Sequence, residues 1–116
     1  MLHDKLSSEF IEGKKNDQEK IRMDLLPFDV LEEIAKGLTF GAKKYSDNNW
    51  QKVENAQERY EAALLRHFAD YKKGEKLDNE SGLSHLIHLG CNAIFLIWLD
   101  LHKEELTDDA RRGLGS

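Results

Sequence analysis

Histidines and an asparagine near the carboxyl end of this 116-residue chain are the residues best suited to chemistry. Ser81, His85, His88 and Asn92 follow one another at spacings of four, three and four residues. On a helix that turns about 100° per residue, such spacing predicts one polar stripe within an otherwise apolar helix. Because an unpartnered buried imidazole or amide costs about 1–3 kcal/mol, these groups must be hydrogen-bonded, bind a metal or face a wet cleft. The stripe is therefore the candidate site, and the alternative is a set of core histidines bonded to neighbouring helices.

A preceding helix is predicted to bring further ligands to this stripe. Apolar residues at helical spacing run from about residue 56 to 73, and Gly74 ends the pattern. A short connection follows, so this helix and the next should be antiparallel neighbours, with His67 and Asp70 close to His85 and His88. Inward-facing carboxylates and imidazoles of helical bundles often bind metal ions. The metal or acid/base candidates are therefore Asp78, Glu80, His85, His67 and Asp70.

A basic stretch precedes the one proline of the chain, Pro27. Residues 14–27 are dense in charge and lack a helical or strand period, which predicts an ordered loop. Its cations suit the charge-assisted hydrogen bonds that phosphate oxygens accept, although such a run is also typical of a solvated surface. Lys15, Lys20 and Arg22 are the phosphate candidates in this loop.

The rest of the sequence predicts the helices and the connection that position these candidates. Asp29 is predicted to cap a helix whose apolar residues keep their spacing to about Lys44, and residues 1–13 are predicted to contain a short helix. Turn-forming residues at 46–51 indicate a connection, in which Trp50 must pack on the core or on a partner subunit.

Together these elements predict an all-α antiparallel helical bundle. It would form a single domain over residues 1–110, with a frayed tail at 111–116. The apolar surface of the last helix exceeds what two helices of this length cover, so we expect oligomerisation to complete the bundle.

Composition excludes several other classes. The net charge of −5 argues against a nucleic-acid-binding protein. The longest apolar run, 93–99, is far shorter than the roughly 18 residues of a membrane-spanning helix. The single Cys91 lies among apolar residues and indicates a reducing compartment, so the expected location is cytoplasmic.

Four segments resemble the phage dATP/dGTP diphosphohydrolase family: KIRMDLLP, FGAKKYSDNNW, LLRHF and DNESGLSHLIH, within residues 13–99. That family is related to the MazG-like all-α nucleoside triphosphate pyrophosphohydrolases. The resemblance implies a MazG-like bundle acting as a homodimer or homotetramer with Mg²⁺ or Mn²⁺. It also implies cleavage of a purine deoxynucleoside triphosphate to the monophosphate and pyrophosphate.

The hypothesis of an enzyme assigns roles to residues. It places catalysis on Glu80, Asp78 and His85, and metal binding on His67, Asp70, Glu80 and His85. The substrate-binding candidates are Lys15, Lys20, Arg22, Lys43, Lys44, Asn49, Arg66 and Asn92.

One departure from the wider MazG group keeps two other functions open. That group carries EExxE on one helix and ExxD on the next. Neither string is found on the predicted helices, and histidines lie where carboxylates are expected. Histidine favours Mn²⁺ over Mg²⁺, or a site that holds nucleotide without a full metal cluster. The alternatives are therefore a non-catalytic nucleotide-binding or sequestering protein, and a scaffold protein that binds no nucleotide.

Overall fold

A computed structural model describes residues 19–106, and its architecture is entirely helical there. The helices are α1 (Phe28–Lys44), α2 (Ala56–Lys72) and α3 (His85–Leu101), with 3₁₀ turns at Met23–Leu25 and Asn49–Gln51. The described residues form no strand, only an isolated bridge between Leu77 and Ser84. The all-α prediction is confirmed. The short helix predicted at 1–13, Lys15 and the tail at 111–116 lie outside the described residues. No helix in the described part is long and apolar enough to cross a membrane.

Helix α1 begins two residues earlier than the capping prediction requires. Pro27 occupies the N-cap position and Phe28 is the first helical residue, so the prediction that Asp29 caps the helix is wrong. Asp29 lies inside the first turn, where its Oδ1 accepts a hydrogen bond from the Val30 N–H at 2.8 Å. The positive end of the helix favours an acid at this position as well. The predicted end at Lys44 is confirmed.

Helices α2 and α3 are antiparallel neighbours, as the short connection predicts. His67, near the end of α2, contacts His85 at the start of α3, whereas Tyr60 near the start of α2 contacts Phe95 further along α3. Gly74 follows α2 with φ +102°, a left-handed conformation that glycine adopts without steric cost. The predicted stop at Gly74 is confirmed.

Helix α3 begins at His85, and this corrects the predicted stripe. Ser84 is its N-cap, and the serine hydroxyl accepts a hydrogen bond from the Leu86 N–H at 3.1 Å. Ser81 therefore lies in the loop before the helix rather than on it. His85 and Asn92 are buried within α3, with 2% and 7% of their surface exposed. Two members of the predicted stripe thus form the polar part of a small core.

Aromatic side chains hold the connection between α1 and α2 against α3. The Trp50 ring stacks on Phe95 at 4.6 Å between centroids and meets Trp98 edge-on at 5.2 Å. The Tyr60 hydroxyl donates to the Trp50 carbonyl at 2.7 Å. The prediction that Trp50 packs on the core is confirmed.

Two glycines let α1 and α3 approach closely. A Cβ on Gly37 would lie 2.7 Å from Cys91 Sγ and 3.0 Å from Ile87 Cγ2, and a Cβ on Gly90 would overlap Ile34 Cδ1. Real Cβ atoms essentially never lie below 3 Å from such atoms, so a side chain at either glycine must displace the facing side chain or move the helices apart. This contact fixes α1 against the helix that carries His85.

Gly37→Ala and Gly41→Ala should therefore change stability in opposite directions. Gly41 also lies in α1, but a Cβ there has nothing within 4 Å. We expect Gly41→Ala to raise the free energy of unfolding by about 0.5–1 kcal/mol through helix propensity. Gly37→Ala should lower it by about 1–2 kcal/mol because overpacking outweighs that gain. Urea denaturation followed by circular dichroism measures both, and equal stabilisation would remove the close contact from the account.

The thiol of Cys91 should be chemically inert in the folded protein. It is 4% exposed, and its Sγ donates a weak hydrogen bond to the Ile34 carbonyl at 3.5 Å. Burial raises the pKa of Cys91 to about 11. At pH 8 only about one thiol in a thousand would be ionised, and the thiolate is the reactive form. A chromogenic disulfide should therefore label Cys91 in guanidinium but not in buffer, and fast labelling in buffer would contradict the burial.

Candidate functional site

Three imidazole rings meet where α2 contacts the start of α3. His67 Nδ1 and His85 Nδ1 are 2.8 Å apart, and one of these nitrogens must donate a proton to the other. The ring of His67 also stacks on that of His88, with centroids 4.8 Å apart and planes inclined by 16°. The expected proximity of His67 to the other two histidines is confirmed. We call these three residues the histidine cluster.

The loop before α3 adds a carboxylate to the histidine cluster. Asp78 Oδ2 accepts hydrogen bonds from the Ser81 backbone N–H at 2.9 Å and from the Ser81 hydroxyl at 3.0 Å. Ser81 Oγ lies 2.6 Å from His88 Nε2. Because a hydroxyl carries one proton, and here gives it to Asp78, His88 Nε2–H must donate to Ser81. Ser81 thus connects Asp78 to the cluster from the loop.

The electrostatic environment favours the neutral forms of His67 and His88 and the ionised form of Asp78. Burial lowers the pKa of His67 and of His88, and the neighbouring imidazoles lower both further. Burial alone would raise the pKa of Asp78, but the hydrogen bonds from Ser81 outweigh it and the pKa is lowered. Neutral imidazoles next to a carboxylate are the protonation states that a metal ion requires of its ligands.

Two groups of three side chains place their donor atoms within 4.8 Å of one another in the described part of the chain. One consists of His67, Asp78 and His85, and the other of Asp70, Glu75 and His85. The shared His85 has no hydrogen-bond partner at Nε2, which lies 3.8 Å from Glu75 Oε1. An unpartnered nitrogen in a side chain this deeply buried costs folding free energy, which a bound ion would offset. The donor set therefore fits a divalent cation.

Glu80 lies beside this site rather than within either donor group. Its carboxylate pairs with Lys44 Nζ, and both side chains are largely exposed. The pair joins the end of α1 to the loop that carries Asp78 and Ser81. Lys44, one of the predicted phosphate ligands, therefore contacts this loop.

The other predicted substrate residues lie in different surroundings. Lys43 and Arg66 are exposed on α1 and α2. The Asn92 amide donates to the His88 carbonyl at 2.8 Å, one turn earlier in the same helix. This contact satisfies the buried amide within α3.

The remaining predicted substrate-binding residues lie in the basic loop and at Asn49. Lys20 is exposed, and the Arg22 guanidinium donates to Asp24 through two bonds of 2.8 and 2.7 Å. Asn49 begins a 3₁₀ turn and lines a cavity next to the carboxyl end of α1.

Sequence reasoning did not select Glu75, which the structure places beside His85 Nε2. A signal was present, because Glu75 and Asp78 have the ExxD spacing of the wider MazG group. They lie in a loop here rather than on a helix. A search restricted to helical faces therefore missed Glu75.

Comparisons with known proteins agree with this helical domain. The family model described as dATP/dGTP diphosphohydrolase, N-terminal, matches residues 11–109. A protein of Salmonella phage PMBT28 named dATP/dGTP diphosphohydrolase is 35% identical over 99 residues, which is 85% of this chain and 33% of that relative. The chain thus spans about a third of the length of that protein. No solved structure matches the chain. Because the family model covers most of the sequence, the chain belongs to the dATP/dGTP diphosphohydrolase, N-terminal, family.

Proposed function

We propose that this chain is a metal-dependent diphosphohydrolase domain that cleaves dATP or dGTP to the monophosphate and pyrophosphate. The observation that carries the proposal is the set of donor atoms from His67, Asp78 and His85 within 4.8 Å. The similarity to the phage dATP/dGTP diphosphohydrolase supports the substrate class. If the chain is phage-encoded like that relative, it would act in the cytoplasm of the infected host.

His67, Asp78 and His85 would hold the divalent ion. Bound there, the ion would supply charge neutralisation at the phosphate oxygens and a water of lowered pKa. Glu75 Oε1 lies 3.8 Å from His85 Nε2 and would add a carboxylate to an ion held at that nitrogen. Asp70, in the same donor group as Glu75, is the further metal candidate on this side of His85.

Lys44 and Glu80 would act on the phosphate chain. Their ion pair is exposed, so it contributes little to stability and can exchange its partners. A phosphate oxygen arriving at the loop would take over Lys44. The released Glu80 carboxylate would then be available to position the attacking water. Lys15, Lys20, Arg22, Lys43 and Arg66 would add positive charge around the phosphates.

The donor chemistry distinguishes between the two expected metals. Mg²⁺ prefers an octahedral shell of oxygen ligands, whereas two imidazoles and one carboxylate suit Mn²⁺ or another transition ion. We therefore propose Mn²⁺ as the better cofactor.

A homo-oligomer is the proposed working form, either a dimer or a tetramer. No large side chain in the described residues is fully buried, and Ile21, Leu25 and Phe28 are 87%, 70% and 69% exposed. These three side chains lie within eight residues of the chain, and large exposed apolar patches mark interaction surfaces in soluble proteins. A second copy of the chain would cover them.

The proposal is tested by incubating the protein with each of the four dNTPs and with Mn²⁺ or Mg²⁺, then separating the nucleotides. We expect monophosphate and pyrophosphate from dATP or dGTP, faster with Mn²⁺. Intact nucleotides with a rise in melting temperature would instead indicate the nucleotide-sequestering alternative. A tight ligand at a hundredfold excess over its Kd adds about 2.7 kcal/mol to the free energy of unfolding. No change in either assay would indicate the scaffold protein.

A further inference from the structure

A cavity of about 830 Å³ lies beside α1, apart from the histidine cluster. Its walls come from the carboxyl half of α1, the connection at 45–55, the start of α2 and Phe95 of α3. His67, Asp78 and His85 do not line it. Its volume is typical of small-molecule sites. The cavity is therefore a second place where a ligand of this size fits.

One wall of the cavity consists of aromatic rings that are already fixed. Trp50 and Tyr60 both pack on Phe95, with centroid distances of 4.6 and 4.9 Å. The Tyr60 hydroxyl is used in its bond to the Trp50 carbonyl. These rings therefore need no reorganisation when a flat apolar group enters, which lowers the cost of binding.

The mouth of the cavity carries groups of a different kind. Tyr45 is 65% exposed where α1 ends, and Asn48 and Asn49 follow in the connection. Asn48 has φ 56°, a left-handed conformation that asparagine tolerates. An asparagine amide offers both a donor and an acceptor, and a tyrosine ring offers a stacking surface. This combination recognises a nucleobase, by its edge and by its face.

The cavity and the histidine cluster are aligned along the same pair of helices. Tyr60 and His67 are seven residues apart on α2, which corresponds to about 10 Å along the helix axis. Phe95 and His88 have the same separation on α3. Lys44 has its Nζ 5.2 Å from the centroid of the cavity-lining Tyr45 ring and pairs with Glu80 of the loop before α3. The sugar of a nucleotide lies between its base and its phosphates and would connect these two places.

We propose that this cavity binds the nucleobase of the nucleotide whose phosphates lie at the histidine cluster. Tyr45 stacks on the base, and Asn49 hydrogen-bonds its edge and determines which base is preferred. The assignment of the phosphate end rests on the proposed function. The assignment of the base end rests on the cavity and its residues, so it can be tested without hydrolysis.

The test uses the fluorescence of Trp50, which lines the cavity. The Trp98→Phe variant leaves Trp50 as the one tryptophan, because the sequence contains two. This variant is titrated with dAMP and dGMP, without metal, so that no reaction occurs. We expect saturable quenching, because contact with a bound purine opens a non-radiative path for the excited indole. Adding Tyr45→Ala should weaken binding at least roughly 10-fold, as expected for the loss of one base–aromatic stack.

Two further variants make the result specific. Asn49→Ala should change the ratio of dAMP to dGMP affinities. Tyr71→Ala is the matched control, because each ring has a lysine Nζ over it, at 5.2 Å for Tyr45 and 3.9 Å for Tyr71, and Tyr71 does not line the cavity. It should leave the affinities unchanged.

Two outcomes would overturn the inference. They are the absence of saturable quenching, and equal affinities with and without Tyr45→Ala. Dissociation of an oligomer by Tyr45→Ala without any quenching would assign the cavity to a subunit interface instead. Quenching that follows these expectations in a protein without hydrolase activity would retain the base site and reject the proposed catalysis.

Discussion

His85→Ala should lower the turnover of dATP or dGTP and the affinity for Mn²⁺ by at least about 100-fold each. His85 belongs to both donor groups, so its loss removes a ligand that no neighbouring side chain replaces. The fold should persist, because the substitution also removes the unpartnered Nε2 of a side chain that is 2% exposed. Calorimetric titration with Mn²⁺ in the absence of nucleotide measures the affinity, and circular dichroism measures the fold.

His102→Ala is the matched control for this substitution. His102 stacks on Trp98 at 4.3 Å and hydrogen-bonds to the Trp98 carbonyl. Its substitution therefore also removes a packed imidazole, but one outside both donor groups. We expect its Mn²⁺ affinity and turnover to remain within a few-fold of the unmodified chain. Equal Mn²⁺ affinity in the two variants would reject the metal centre.

Glu80→Gln distinguishes a catalytic role of Glu80 from a metal-binding role in the same assays. Loss of turnover with unchanged Mn²⁺ affinity would make Glu80 a catalytic carboxylate that does not bind the metal. Full turnover would exclude Glu80 from the site.

Trp50→Ala should have the largest effect on stability, a loss of about 3 kcal/mol in the free energy of unfolding. The indole contacts both Phe95 and Trp98, and it attaches the connection at 45–55 to α3. Removing it leaves a gap that neighbouring helices fill only in part. Urea denaturation followed by circular dichroism measures the loss, at fixed protein concentration because oligomerisation would also change the midpoint.

Tyr60→Phe is the variant with which the stability loss of Trp50→Ala is compared. It removes one hydrogen bond to the Trp50 carbonyl and keeps the ring on Phe95, so about 1 kcal/mol should be lost. If Trp50→Ala costs no more than Tyr60→Phe, the ring does not hold the connection, and the wall of the cavity is not fixed in the way proposed.

Local sequence determined the helices and most of their limits. Apolar spacing and Gly74 were sufficient to place α2 and its end, because a left-handed residue after a helix favours glycine strongly. The antiparallel pairing of α2 and α3 followed from the short connection, and with it the meeting of His67 with His85. These features depend on neighbours in the chain, which a sequence displays directly.

The helix starts were less predictable. Proline and aspartate are both common near helix starts, and here Pro27 rather than Asp29 occupies the N-cap position. The stripe model failed at Ser81 for a related reason. Ser84 caps α3, so the periodicity that relates His85 to Asn92 does not extend back to Ser81. Capping depends on the path of the preceding chain, which helical spacing does not encode.

The amino-acid sequence by itself determined which chemical groups this protein has available. These are the imidazoles and carboxylates of residues 67–88 and the lysines near the end of α1. Only the tertiary structure decided which of them meet. Asp78 reaches the histidines through a turn held by Ser81, and Glu80, two residues later, pairs with Lys44 instead. The physical reason is that a loop's side-chain directions are set by hydrogen bonds made across it and by the helices it joins, and these exist only once the helices have packed.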